Sequence, residues 1–335
     1  MAIAHLDIGD AAFAIAIVTA TGFVSSFATR MLIAVLRRHD VLDRPNDRSS
    51  HAIPTPRGGG IAVIGAVIFA WLGVAAVGRV NSAVIAVCIA AALLAAVCWI
   101  DDLYELSPAP RLMAQGAAVG IGLLALPAAP SWERLSPLVY LLGTGLLWMW
   151  WVNLFNFMDG IDGIAGSEAA IISAGLLLFA AFGSGTDATV ALLAAAILGA
   201  SLGFLLWNWS PASIFLGDVG SAPLGFLIGY VLIGLAIAGR WKIASILPLY
   251  FFADATITLG RRALRGERIW QAHREHYYQQ AIRHGLSHTA VVKRVIAANL
   301  LLVGCGWIAE NGWDIISLAA PVIVAVLLAA LAQGR

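Results

Sequence analysis

The sequence predicts an all-α, polytopic integral membrane protein with about eleven transmembrane helices, ten being the alternative count. Three observations carry this. The 335 residues are 61% hydrophobic and only 12% charged. Many apolar runs approach the roughly 20 residues that cross a bilayer. The basic residues then collect in alternate connections between those runs.

The predicted spans are 11–36, 60–78, 82–100, 112–129, 136–152, 167–183, 188–207, 222–239, 243–260, 294–309 and 314–332. The first has no charged n-region and no small-residue cleavage site, so it reads as a retained helix, not a signal peptide. Spans 188–207 and 222–239 are rich in Ala and Gly, which permits close helix packing. Cys88 and Cys98 lie in one span and Cys305 in another, without metal-ligand spacing, and read as packing residues. No repeat, low-complexity tract or soluble domain stands out, so residues 1–335 read as one membrane domain.

Sixteen of the 20 Lys and Arg residues fall toward one side, leaving Arg79, Arg134, Arg240 and Lys242 on the other. The first side is predicted to be cytoplasmic, with the N-terminus outside and Arg335 inside. The formal charge of +1 follows this topology and gives no reason to expect nucleic acid. Nearly all chemically useful residues lie in the connections on the cytoplasmic side, 37–59, 101–111, 153–166, 208–221 and 261–293. This asymmetry points to a site at that membrane surface.

The turn Asn153-Leu-Phe-Asn-Phe-Met-Asp-Gly-Ile-Asp-Gly163 places Asn156, Asp159 and Asp162 directly after an apolar run. Charged groups at that depth are costly unless paired, metal-bound or facing water, so the turn reads as a site. Gly160, Gly163 and Gly166 discourage a regular helix there and allow close approach of a ligand. The segment Arg44–Gly60 is a Pro- and Gly-fixed loop. Its backbone N–H groups, with Arg48, His51 and Arg57, suit phosphate, while the missing Gly-Lys-Ser/Thr excludes a nucleotide P-loop. The adjacent Asp101 and Asp102 end an apolar run and would repel each other without a cation or proton, suggesting Mg²⁺ or a general base. Arg111 is placed to counter them or to bind phosphate.

Asp218, between Gly217 and Val219-Gly220, presents its carboxylate on a loop that also holds Asn208 and Phe215, whose ring offers a flat surface for a base. His273 and His276 share a helical spacing but lack the partners of a zinc site; with Arg274 they suit a pyrophosphate. The arginines outside 273–276 read as topology or anionic-lipid residues, and His284 and His288 as surface residues. Asp254, inside an apolar span, is expected to pair with an arginine or to support the site.

Together, Pro54-Thr-Pro-Arg-Gly-Gly-Gly60, Asp101-Asp102, Asn153–Gly163, Phe215-Leu-Gly-Asp-Val-Gly-Ser221 and His273-Arg-Glu-His276 resemble the polyprenyl-phosphate N-acetylhexosamine-1-phosphate transferases of glycosyltransferase family 4. The resemblance implies transfer of N-acetylhexosamine 1-phosphate, a 6-deoxy sugar included, from a UDP-sugar to undecaprenyl phosphate, with UMP released. It implies a multi-pass protein of the bacterial inner membrane, a site open to the cytoplasm, Mg²⁺ or alternatively Mn²⁺, and a homodimer as one assembly. By the same resemblance Asp218 matches the metal-binding aspartate and Asp101 and Asp102 the catalytic pair. Phe215 matches the residue that stacks on uracil. Asn156, Asp159, Asp162 and Asn208 match nucleotide-site positions, His273, Arg274 and His276 the pyrophosphate loop, while Arg57, Arg111 and Asp254 are expected to serve the lipid phosphate or support the site.

Pro-Thr-Pro-Arg-Gly-Gly and His-Arg-Glu-His depart from the peptidoglycan branch, and Glu267–Gln279 looks most like the O-antigen-initiating branch. The alternatives are a phospho-MurNAc-pentapeptide transferase, a transporter and a catalytically dead scaffold. A transporter predicts ionisable groups in mid-membrane and related halves, which the sequence does not display.

Overall fold

A computed structural model describes residues 8–45, 53–127, 136–182, 188–268 and 273–334. Arg48, His51, Arg134 and Arg335, singled out above, lie outside them. The chain begins with α1 (Ile8–Arg38), then a two-residue antiparallel pair, β1 (Leu42–Asp43) and β2 (Thr55–Pro56). There follow α2 (Gly60–Ala76), α3 (Ala83–Tyr104), α4 (Pro108–Ala125), α5 (Pro137–Phe157), α6 (Ile164–Phe182), α7 (Ala188–Asn208) and α8 (Asp218–Ile237). The last part comprises α9 (Trp241–Ile246), α10 (Leu249–Leu264), α11 (Tyr277–Arg283), α12 (His288–Glu310), a 3₁₀ turn (Asp314–Leu318) and α13 (Ala319–Ala332).

Each predicted span overlaps helix in its described part, and among the described residues eight helices are long and apolar enough to cross a membrane. This is a multi-pass membrane protein. Three details differ from expectation. Span 243–260 is two helices, α9 and α10, interrupted at Leu247–Pro248, because Pro248 has no N–H to donate back to Ala244. The helices α6, α8 and α12 begin at 164, 218 and 288, earlier than the apolar runs suggest, so polar residues occupy their first turns. Finally, β1, β2 and α11 are too short to generate a recognisable hydrophobic period.

The centre of the bundle is α6, α7 and α8, whose side chains are mostly buried. Without a strong hydrophobic force between helices in lipid, small residues and polar contacts hold such a centre together. Between α1 and α7, Ser25 Oγ donates to Ala200 O at 2.8 Å. A Cβ at Gly203 would lie 2.1 Å from Gly22 O, so the two backbones touch. Between α5 and α8, the indoles of Trp148 and Trp151 donate to Phe226 O (3.1 Å) and Gly225 O (2.9 Å). The Trp148 ring also stacks on Phe226 with centroids 5.0 Å apart. Cys88, Cys98 and Cys305 are buried and free, as packing residues should be.

Candidate active site

The ends of α3, α5, α7 and α10 meet the beginnings of α2, α4, α6, α8, α11 and α12 on one face of the bundle. There the predicted charged residues form one network. Arg57, just before α2, reaches Asp102 Oδ1 at 2.7 Å and Asp218 Oδ1 at 2.9 Å. Arg111, in the first turn of α4, reaches Asp101 Oδ2 at 3.1 Å and Asp218 Oδ2 at 3.3 Å. Asp218 is therefore held between two guanidinium groups, each of which also binds one member of the acidic pair. Burial alone would lower the Arg57 pKa. The carboxylates of Asp218 and Asp102 outweigh it and hold Arg57 above the ordinary arginine value.

Asp101 and Asp102 are neighbours with different work. Asp101 Oδ1 accepts the Leu106 N–H at 2.7 Å, which closes the turn after α3. Asp102 accepts the N–H groups of Asp218 (3.1 Å) and Val219 (2.9 Å), the first turn of α8. It thus caps that helix from a different element, satisfying donors that have no intrahelical acceptor. Gly217 (φ 75°) allows the approach, since a Cβ there would meet Asp102 Oδ2 at 2.8 Å. Asp102 is a positioning residue for Asp218.

The glycine loop corrects the sequence reading. The N–H groups of Gly58 and Gly59 donate to Phe215 O (3.2 and 2.8 Å), and that of Gly60 to Leu216 O (2.8 Å). In return Phe215 N–H donates to Pro56 O at 2.8 Å. The donors expected to cradle phosphate bind the Asp218 loop instead. The glycines are required by contact: a Cβ on Gly60 would lie 2.1 Å from Gly220 Cα, and one on Gly59 2.4 Å from the Phe204 ring. This loop carries Arg57 to Asp218, and the Phe215 ring remains half-buried beside it.

The 159–163 turn is similarly tied. Asn208 Oδ1 accepts the Gly163 N–H at 2.9 Å, and its Nδ2 donates to Ile214 O at 2.8 Å. Asp162 Oδ2 accepts the Ala212 N–H at 3.2 Å and lies 3.2 Å from His288 Nδ1. Burial would raise the Asp162 carboxyl, but His288 and the donors from Ser210 and Ala212 hold it below the usual carboxylate range. Asn208 and Asp162 therefore spend much of their polar capacity within the protein, as supports for the site. His288, expected on the surface, is instead part of this support. Its signal in the sequence is Ser287, whose Oγ caps α12 by accepting the Ala290 N–H and places His288 in the first turn. Asp159 differs: burial first, then the Asp218 carboxylate, push it well above the usual range. Gly160 packs against Tyr278, whose hydroxyl donates to Phe157 O at 3.0 Å.

Among the described residues Asp254 pairs with no arginine. It accepts the N–H groups of Tyr277 (3.0 Å) and Tyr278 (3.4 Å) at the start of α11 and lies 3.4 Å from His276 Nδ1. The histidines at 273 and 276 have ring centroids 4.8 Å apart. Burial, then the neighbouring His276 and Arg262, lowers the His273 pKa to about 4. Its Nδ1 faces the Glu275 N–H at 3.3 Å, which suits a neutral ring. Arg262 and Arg265, expected to serve topology, pair with Glu267 and Glu275 and brace this segment.

A cavity of about 590 Å³ lies between Arg111, the end of α5 and the 273–279 segment. Arg111, Asn153, Asn156, His273, His276 and Gln279 line its polar side, and Leu112, Leu146, Met149, Trp150, Phe157 and Leu259 its apolar side. Leu112 and Leu146 are exposed on the outer surface, so the apolar wall continues onto the surface that lipid covers.

Residues 84–236, which contain the Asp101–Asp102 pair, the 159–163 turn and Asp218, match the sequence family described as glycosyl transferase family 4. The chain is 30% identical to the phospho-N-acetylmuramoyl-pentapeptide-transferase of Mycobacterium leprae (strain TN), over 88% of this chain and 98% of the relative. The chain belongs to glycosyl transferase family 4. Another family 4 relative, the probable undecaprenyl-phosphate N-acetylglucosaminyl 1-phosphate transferase of Bacillus subtilis (strain 168), is 28% identical over 79% of this chain and 78% of its own length. A phospho-N-acetylmuramoyl-pentapeptide-transferase of Mycobacterium sp. (strain JLS) is 28% identical over 84% and 92%. The names of these relatives both specify transfer of a phosphosugar and differ in the sugar.

Proposed function

We propose that the protein transfers N-acetylhexosamine 1-phosphate from a UDP-sugar to undecaprenyl phosphate, releasing UMP, at the cytoplasmic face of a bacterial inner membrane. The observation that carries this is the position of Arg111. It lines a cavity whose other wall is apolar and surface-exposed, while binding Asp101 and Asp218. A lipid-borne phosphate resting on that wall would arrive beside the acidic network, with Arg111 as its counter-charge.

In this reaction an oxygen of the lipid phosphate attacks the sugar-bearing phosphorus of the donor. The bond to the bridging oxygen breaks and UMP leaves. Two anions must meet, so the protein has to offset their repulsion. Arg57, Arg111, His273, Arg274 and His276 supply donors around the reacting phosphates. Asp101, buried and in contact with Arg111, is the candidate to orient or deprotonate the lipid phosphate, and Asn156 and Phe215 are the candidates, by the family resemblance, to bind the nucleoside.

Among the described residues no three His, Cys, Asp or Glu side chains are grouped to hold a metal ion. Mg²⁺ asks for less, commonly one or two carboxylates completed by waters and phosphate oxygens. The hard-oxygen donors at Asp218 and Asp101 suit Mg²⁺ or Mn²⁺, with Asp218 as the principal ligand. When bound, the cation would offset charge on the donor phosphates.

The Arg57-Gly-Gly-Gly60 and His273-Arg-Glu-His276 segments favour an unsubstituted or 6-deoxy N-acetylhexosamine, as used to begin a surface polysaccharide such as O-antigen. A UDP-MurNAc-pentapeptide donor is the second reading, favoured by the activity named for the Mycobacterium relatives. A panel of radiolabelled UDP-N-acetylhexosamines and UDP-MurNAc-pentapeptide, with undecaprenyl phosphate and Mg²⁺, tests both by UMP release. Asp218→Asn and Asp101→Asn are expected to abolish release at unchanged protein level. Normal turnover in both variants, or no release from any donor, overturns the reading.

A further inference from the structure

A second cavity, of about 410 Å³, lies on the other side of α11, lined by Thr258, Arg261, Arg265, Glu275, Gln280, Arg283 and His284. The two cavities are divided by residues 275–283: His276 and Gln279 face the first, whereas Glu275, Gln280 and Arg283 face the second. Three guanidinium groups face one carboxylate here. Arg265 is bound to Glu275 and Glu267, but neither Arg261 nor Arg283 makes an ion pair with another described residue. The Arg261 guanidinium is also held in place, its central carbon 5.2 Å from the Tyr277 ring centroid. The result is a preorganised concave site with an excess of positive charge.

We infer that this cavity binds a phosphate group, and that its source is the headgroup of an anionic phospholipid. The second part follows from the apolar surface around the arginine. On α10, Ile257, Arg261 and Leu264 share one face, and Ile257 (40%) and Leu264 (91%) are exposed apolar side chains on either side of Arg261. Apolar side chains exposed on both sides of Arg261 offer a surface that acyl chains can follow while the phosphate meets the guanidinium. A bound headgroup would stiffen the Glu275–Arg265 brace, whose other side presents His273 and His276. The inference does not depend on which donor or acceptor the protein uses.

The test is thermal unfolding of the full-length purified protein in neutral detergent with added phosphatidylglycerol, phosphatidylcholine, inorganic phosphate or glycerol 3-phosphate. Phosphatidylglycerol is expected to raise Tm by about 3 °C, a typical ligand-linked shift, and phosphatidylcholine to leave it unchanged. R261Q/R283Q should lose most of the shift while keeping the wild-type Tm in phosphatidylcholine. R283E, at a single exposed position, should lose about half of it should the double variant fold poorly. R37Q/R38Q, which removes two exposed charges at the end of α1, should retain it. An equal shift from inorganic phosphate or glycerol 3-phosphate would support the phosphate site and assign it to a soluble ligand. No shift in the wild type, an equal shift with phosphatidylcholine, an undiminished shift in R261Q/R283Q and R283E, or an equal loss in R37Q/R38Q would overturn the inference.

Discussion

Asp102 of α3 accepts the backbone N–H of Asp218, so the position of one acidic residue is set by the carboxylate of another. This contact separates roles that look equivalent in the chain and leads to the first of four predictions.

Asp102→Asn keeps an acceptor for one N–H of α8 but loses the charge that pairs with Arg57 and the second acceptor oxygen. Arg57 is 35% exposed and keeps Asp218 as a partner, so the cost lies below the roughly 3–5 kcal/mol of a fully buried pair, but the variant should still lower both Tm and turnover. Asp218→Asn loses charge pairing with Arg57 and Arg111 but leaves the cap on α8 intact, so it should remove turnover with a smaller change in Tm. Equal thermal losses in the two variants would place Asp102 in the same role as Asp218.

Gly60→Ala would put a methyl group 2.1 Å from Gly220 Cα, between two backbones that cannot yield easily. A destabilisation of about 1–3 kcal/mol or more is expected from such overpacking. Gly65→Ala, on the same helix with nothing within 4 Å, should be neutral or slightly stabilising. Chemical denaturation of the pair in one detergent distinguishes local crowding from a general effect of the substitution.

His288→Ala removes the side chain that faces Asp162 and loosens the turn bearing Asp159. Turnover should fall several-fold with a rise in KM for the nucleotide donor, and His288→Gln, whose amide oxygen can still accept the Asp162 N–H, should recover part of it. A wild-type KM in His288→Ala would show that Ala212, Ser210 and Asn208 hold the turn without it.

The fourth concerns pH. The folded His273 pKa is about 4, below the ordinary value near 6.5. As pH falls from about 6.5 toward 4, the unfolded chain takes up the proton first, so this residue contributes a loss of stability across that window and none above it. Tm measured from pH 7.5 to 4.5 should therefore fall less steeply in His273→Gln than in the wild type. Parallel curves would mean that His273 titrates alike in both states.

The helices were legible because membrane spans are long and apolar, and the site was legible as a set of charged residues on one face. What was hidden was direction. Asp101 and Asp102 are adjacent letters, yet about 100° of helix rotation separates them. One therefore turns to Arg111 and the other to the first turn of α8. Glycine was ambiguous for a different reason, since absence of a Cβ serves a ligand and a neighbouring backbone equally well. At Gly58, Gly59 and Gly60 the neighbour is Phe215–Leu216, distant in the sequence. The break at Leu247–Pro248 was masked by continuous hydrophobicity, and the role of His288 depended on a partner 126 residues away.

The seam between residues 56–60 and 215–216 has a consequence for any attempt to rebuild this protein. Its hydrogen bonds count residues from both strands of chain, so inserting or deleting a single residue in either segment shifts the register by one step. Such a shift, of about 3.3 Å, would carry Arg57 out of reach of Asp218. In a chimaera with a related transferase, the two segments must therefore be exchanged together, as a single cassette made of distant pieces.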